Sequence, residues 1–124
     1  MKFGAEQIEC MLAILTLGSR NEVRQIEIQE ELALSKPVVH KRLTALSKNE
    51  IIIMQKYGPV VFTEYGFEIA VKIQKKFLNI YPFFIDRLGL EENEAKLCTY
   101  RFLGNMTETC ISRMQEYDKY SAVT

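Results

Sequence analysis

Between positions 36 and 44 the chain places Lys36, Pro37, Val38, His40, Lys41 and Thr44. Two cations, an imidazole, a hydroxyl and a methyl-bearing side chain in so short a run suit the surface of a nucleic-acid duplex. Lysines serve phosphates or guanine edges, valine meets a thymine methyl, and a threonine hydroxyl bonds a phosphate. Lys56 and Tyr57, next to Gly58-Pro59, add a cation and an aromatic hydroxyl suited to phosphate contact. His40 is the only histidine. With no acidic residue within helical reach, it reads as a polar group facing solvent or DNA, not as a metal ligand or catalytic base.

Other reactive groups offer less. Cys10, Cys98 and Cys110 are odd in number and far apart, with no CxxC or Cys/His grouping. They read as reduced, half-buried thiols, not as a zinc site or a disulfide framework. Glu6 and Glu9 stand one helical turn apart and read first as a solvated face near the positive end of a helix dipole. No nucleophile stands beside a base, no glycine-rich loop cradles a phosphate, and no carboxylates pair for acid–base work. The reading is not that of an enzyme, and no cofactor is expected.

The elements that hold these residues follow from periodicity. Apolar residues at Ile8, Met11, Leu12, Ile14 and Leu15 predict an amphipathic helix over 5–17, stopped by Gly18. A short segment, 23–26, leads into a second helix over 27–33, with Ile28 and Leu32 on one face. Ser35 is expected to cap a third helix over 36–48, and Pro37 falls in its first turn, where a missing N–H is harmless. The buried stripe of that helix is Val39, Leu43 and Leu46. Positions 50–56 and 60–63, rich in β-branched residues around Gly58-Pro59, predict a β-hairpin. Thr63 then caps a long helix carrying Ile69, Ala70, Ile73, Phe77 and Ile80, which Pro82 kinks or ends. Two more helices are predicted over 92–103 and 107–117. Helix, helix, helix, hairpin, helix is the order of a winged helix-turn-helix. The expected fold is mainly α with a small β-hairpin: a DNA-binding domain over 1–70 and a helical dimerisation region over 71–124.

Charge supports the middle of the chain as the phosphate-facing part. The net charge is zero. Residues 36–76 nevertheless hold eight Lys/Arg against three Asp/Glu, while 1–35 hold three against six and 77–124 hold five against seven. Length and composition (124 residues, 48% hydrophobic, 26% charged) fit one globular domain with a helical extension, able to bury a core. No apolar run approaches a bilayer span, and early acidic residues disfavour a secretory signal, so a cytoplasmic location and no membrane partner are expected.

Two stretches, Ile28-Gln29-Glu30-Glu31-Leu32-Ala33-Leu34-Ser35-Lys36-Pro37-Val38-Val39-His40-Lys41-Arg42-Leu43 and Phe62-Thr63-Glu64-Tyr65-Gly66-Phe67-Glu68-Ile69-Ala70, resemble winged-helix regulators. The closest likeness is to the iron- and manganese-dependent repressors of the diphtheria-toxin-repressor type. Gly89-Leu90-Glu91-Glu92 and the stretch from Met106 to Met114 are placed like that family's two-helix dimerisation region. The resemblance implies a homodimer on double-stranded DNA, reading a pseudo-palindromic operator as a repressor. It also implies a divalent-metal site drawing on a first-helix acidic pair, which Glu6 and Glu9 match. The family's remaining ligands do not carry over. The expected histidine falls at or near Phe77, and the acidic and Glu-His positions fall near Tyr100, Leu103 and Gly104. Two carboxylates alone are too few for a hard cation, so a packed hydrophobic junction is expected there instead. Two other readings stand beside this one: a thiol- or metal-responsive repressor of the same fold, using Cys10 and Cys98, and a winged-helix module for binding proteins.

Overall fold

The computed structural model describes residues 3–55 and 58–123, with side chains through Tyr117. Its elements are α1 (Ala5–Gly18), α2 (Gln25–Leu32), α3 (Lys36–Lys48), β1 (Ile52–Met54), β2 (Val60–Phe62) and α4 (Glu64–Pro82). A π-helical turn (Phe83–Arg87) follows, then α5 (Glu92–Asn105) and α6 (Glu108–Val123). The chain forms two compact units: Glu9–Lys72, and the residues up to Ile8 together with Ile73 onward. No described helix is long and apolar enough to cross a membrane.

In the first unit, α1 is more deeply buried than its amphipathic pattern implies. All six positions from 10 to 15 are buried, Cys10 and Ala13 included. A helix apolar on every side is a core helix, not a surface one. Also buried in this unit are Val23, Ile28, the α3 stripe of Val39, Leu43 and Leu46, and the hairpin residues Ile51, Ile52, Val60 and Phe62. After Gly18 the chain reverses through Ser19 at φ 51°.

Helix α2 begins two residues earlier than predicted. Arg24 is its N-cap, and the Glu27 carboxylate accepts from the Arg24 N–H at 3.4 Å and from its guanidinium at 3.1 Å. Arginine is not among the residues usually sought at a cap, which is why the sequence reading missed it. The helix closes through Ala33 at φ 53°, with Leu34 N–H donating to the Gln29 carbonyl at 3.1 Å.

The start of α3 departs from expectation in one respect. Ser35 has cap-like backbone angles (φ −70°, ψ 158°), but its hydroxyl makes no capping bond. A cap side chain accepts from the second or third helical N–H, and Pro37, the second helical residue, removes one of those two donors.

The hairpin is shorter than predicted and has a third participant. Ile52 pairs with Phe62, Ile53 with Val61 and Met54 with Val60. Val23 then bridges Val60 from the other side, each N–H donating to the other's carbonyl at 2.8 Å. Glu50, at φ 61°, turns the chain out of α3 into β1.

Thr63 caps the start of α4 as predicted, and also ties it to the hairpin. Its hydroxyl accepts from Gly66 N–H at 2.9 Å and donates to the Glu50 carbonyl at 2.6 Å. Gly66 is required by its surroundings, because any Cβ there would collide with the Ile51 carbonyl.

In the second unit, Phe3, Ile8, Ile80, Ala95, Thr99, Leu103 and Ile111 are buried. Thr99 is satisfied within α5, donating to the Ala95 carbonyl at 2.7 Å. At Gly104 a Cβ would stand 2.7 Å from the Ala5 nitrogen, so the start of α1 lies directly on the α5 backbone. The regular turns of α4 end at Pro82, as predicted, and the π-helical turn carries the chain to Gly89 at φ 64°.

Candidate nucleic-acid interface

Because Val39, Leu43 and Leu46 bury one stripe of α3, the side opposite that stripe is turned outward. Lys36, Pro37, Val38, His40 and Lys41 are all exposed. Thr44 is half-buried, and its hydroxyl donates to the His40 carbonyl at 2.8 Å. That bond uses the proton a phosphate would need, leaving Thr44 an acceptor until its hydroxyl rotates. Lys56 and Tyr57 lie outside the described residues.

Beside this face runs a groove of about 870 Å³, lined among others by Arg24, Ile26, Gln29, Lys36, His40 and Gln55. It lies where the start of α2, the start of α3 and the hairpin meet. Gln25 holds that meeting point together, its side-chain amide donating to the Gly58 carbonyl at 3.0 Å. Sequence reasoning passed over Arg24, Gln29 and Gln55. The amides of glutamine match the paired donor and acceptor of adenine, and Arg24 is exposed, with a surface pair to Glu27. Nothing in the local pattern marks these residues, since chain reversal alone brings them to α3.

One cation of the basic middle does not face outward. Arg42, two residues past His40, is only 14% exposed in its side chain, and its guanidinium donates to the Glu9 carboxylate of α1 at 2.7 Å. Among the described residues its Nε is buried with no hydrogen-bond partner. Glu9 is therefore not the free, solvated carboxylate its position in the sequence implied, whereas Glu6 is exposed.

The residues do not fit the divalent-metal site that the resemblance to metal-dependent repressors would imply. Among the described residues no three His, Cys, Asp or Glu side chains converge on a point. At the positions where further ligands would be sought, Phe77 and Tyr100 place their rings 5.3 Å apart, and Tyr81 stacks on Phe77 at 5.3 Å. Leu103 and Gly104, both in α5, are buried. Phe77, where the resemblance expects a histidine, brings no oxygen or nitrogen to a hard cation.

The thiols divide into two kinds. Cys10 has no exposed surface, and burial pushes its thiol up to about 12, against a smaller pull downward from Arg42 and a push upward from Glu9. Such a thiol is a poor nucleophile. Cys98 and Cys110 are half-buried and free, and Lys96, near Cys98 in sequence, pairs with Glu92 at 3.3 Å.

No protein-family model matches the sequence, and no curated protein matches it. Solved structures do. The metal-dependent transcriptional regulator MtsR superposes with a TM-score of 0.71 at 17% identity, over 92% of this chain and 54% of that one. The manganese regulator SloR gives 0.68 at 18% identity, over 97% and 55%. A hypothetical protein from Sulfolobus solfataricus gives 0.63 at 16% identity, over 93% and 88%. The chain has the winged-helix fold of these metal-dependent regulators and spans about half the length of MtsR and SloR.

Proposed function

We propose that the protein is a DNA-binding transcriptional regulator that works as a homodimer on a pseudo-palindromic duplex and does not depend on a metal ion. The observation that carries this reading is the outward face of α3, where Lys36, Pro37, Val38, His40 and Lys41 are all exposed beside the groove. A helix presented in this way enters the major groove, with its early residues reaching base edges. The domain over 1–70 reads DNA and residues 71–124 form the dimer. Two copies are needed because one small module rarely buries enough surface for specific affinity. The likeness of fold to regulators of transcription supports the reading. Independence from metal is supported by the ring contacts of Phe77 and by the commitment of Glu9 to Arg42. A role as a thiol sensor through Cys10 finds no support, since that thiol is buried and held protonated.

The test is selection of bound duplexes from fragmented genomic DNA, followed by affinity measurements with chelator and with added Mn²⁺ or Fe²⁺. The expected outcome is selective binding that metal and chelator leave unchanged, and that His40→Ala with Lys41→Ala weakens by about tenfold or more. Absence of selective binding, or binding only with metal, overturns the reading.

A further inference from the structure

We propose that Arg42 is a positioning residue for the recognition helix. By its part-buried pair with Glu9 it fixes the roll of α3 about its own axis, and so decides how Lys36, Val38, His40 and Lys41 meet base edges. This inference rests on the DNA reading above and deepens it.

The apolar stripe of α3 cannot set the roll by itself. Val39, Leu43 and Leu46 are held by contacts that have no preferred direction, and such a seam tolerates a small rotation. At about 100° per residue Arg42 sits on the margin of that stripe, where a directional bond acts as a stop. A roll of about 20° on a helix of roughly 5–6 Å radius moves the side-chain surface by about 2 Å. That is the difference between a hydrogen bond to a base edge made and lost. The bond of Arg42 to Glu9, at 2.7 Å between opposite charges, is of the short, charge-assisted kind that resists such a shift.

Its partner is a firm anchor. Glu9 immediately precedes the six consecutive buried positions of α1, the most enclosed segment of this unit. A part-buried ion pair adds little net stability once desolvation is counted, whereas its short, charge-assisted bond is directional and sets a geometry. Glu9 is also one of the two carboxylates that a first-helix metal site would draw on. Here it is committed to an internal cation on α3.

The experiment compares the wild-type chain with Glu9→Gln, Arg42→Met and the double variant. Each is titrated with a duplex selected by the wild type and with a random duplex of equal length, across a salt series, with amide exchange followed over residues 39–48. The expected result is that all variants bind random duplex within about threefold of wild type, with the same salt slope. Preference for the selected duplex falls by about tenfold or more, and the double variant loses no more than the worse single one. Equal weakening on both duplexes with a salt slope reduced by about one makes Arg42 a phosphate contact and overturns the proposal. So does recovery of wild-type preference in the double variant, which reduces the pair to a stabilising contact. If a single variant unfolds, the double variant decides, because it leaves no uncompensated buried charge. If the wild type binds neither duplex, the DNA reading fails on its own, and amide exchange then judges the anchoring. Faster exchange in Glu9→Gln supports it and unchanged exchange overturns it.

Discussion

Cys10 shows how far a residue's surroundings can change its chemistry. A cysteine on the first helix looks like a candidate sensor in the sequence, yet its thiol has no exposed surface. Burial raises its pKa from the ordinary 9.0 to about 12. Because the folded value is raised, the neutral thiol contributes to stability fully below about pH 9, and that contribution is lost as pH rises towards 12. Urea unfolding across this range should show a fall in stability for the wild type that is shallower in Cys10→Ala. In the native protein at pH 8 a maleimide should label Cys98 and Cys110 within minutes and leave Cys10 unlabelled until denaturant is added. Labelling of all three at one rate would show that α1 is not the closed core helix described. The same residue-scale lesson applies to Arg42. In the sequence it is one more cation among eight, and only the fold turns it inward to Glu9.

Among elements, the junction between the hairpin and α4 is the most tightly specified. Thr63 and Gly66 are a matched pair: the hydroxyl holds the first turn and the carbonyl of Glu50, while the missing Cβ lets the Ile51 carbonyl approach. Gly66→Ala should therefore destabilise the protein by about 1–3 kcal/mol, and Thr63→Val by about 1–2 kcal/mol, measured by urea denaturation. A neutral Gly66→Ala would mean that the hairpin shifts freely against α4. This junction was legible in the sequence because a cap and a glycine three residues apart are local signals. So were the α3 stripe of Val39, Leu43 and Leu46 and the stop at Pro82, since both depend on helical period or proline geometry. Three features were not legible. The bridge of Val23 to Val60 has no period to betray it, the Arg24 cap uses an unusual residue, and the pairing of Glu9 with Arg42 joins positions 33 apart. Of the candidate interface, the α3 face could be read from spacing. Arg24, Gln29 and Gln55, which line the groove beside it, could not.

At the scale of the whole molecule, charge and assembly make a joint prediction. The chain is neutral overall, but its middle carries an excess of five positive charges, eight against three. Affinity for duplex DNA should therefore fall steeply with salt, although the protein as a whole attracts few polyanions. Sedimentation should give about twice the 14.4 kDa chain mass, and footprinting should show two half-sites about one helical turn, or a multiple of it, apart. A monomer with a single protected half-site would reassign residues 71–124 to another task.

The three chain reversals through Ser19, Ala33 and Glu50 have a practical consequence. All three adopt left-handed backbone angles without being glycine, and all three side chains are exposed. The sequence thus leaves conformational strain where no function has been assigned. A sturdier variant for crystallography or spectroscopy is within reach by placing glycine at these bends, with every residue of the α3 face left as it is.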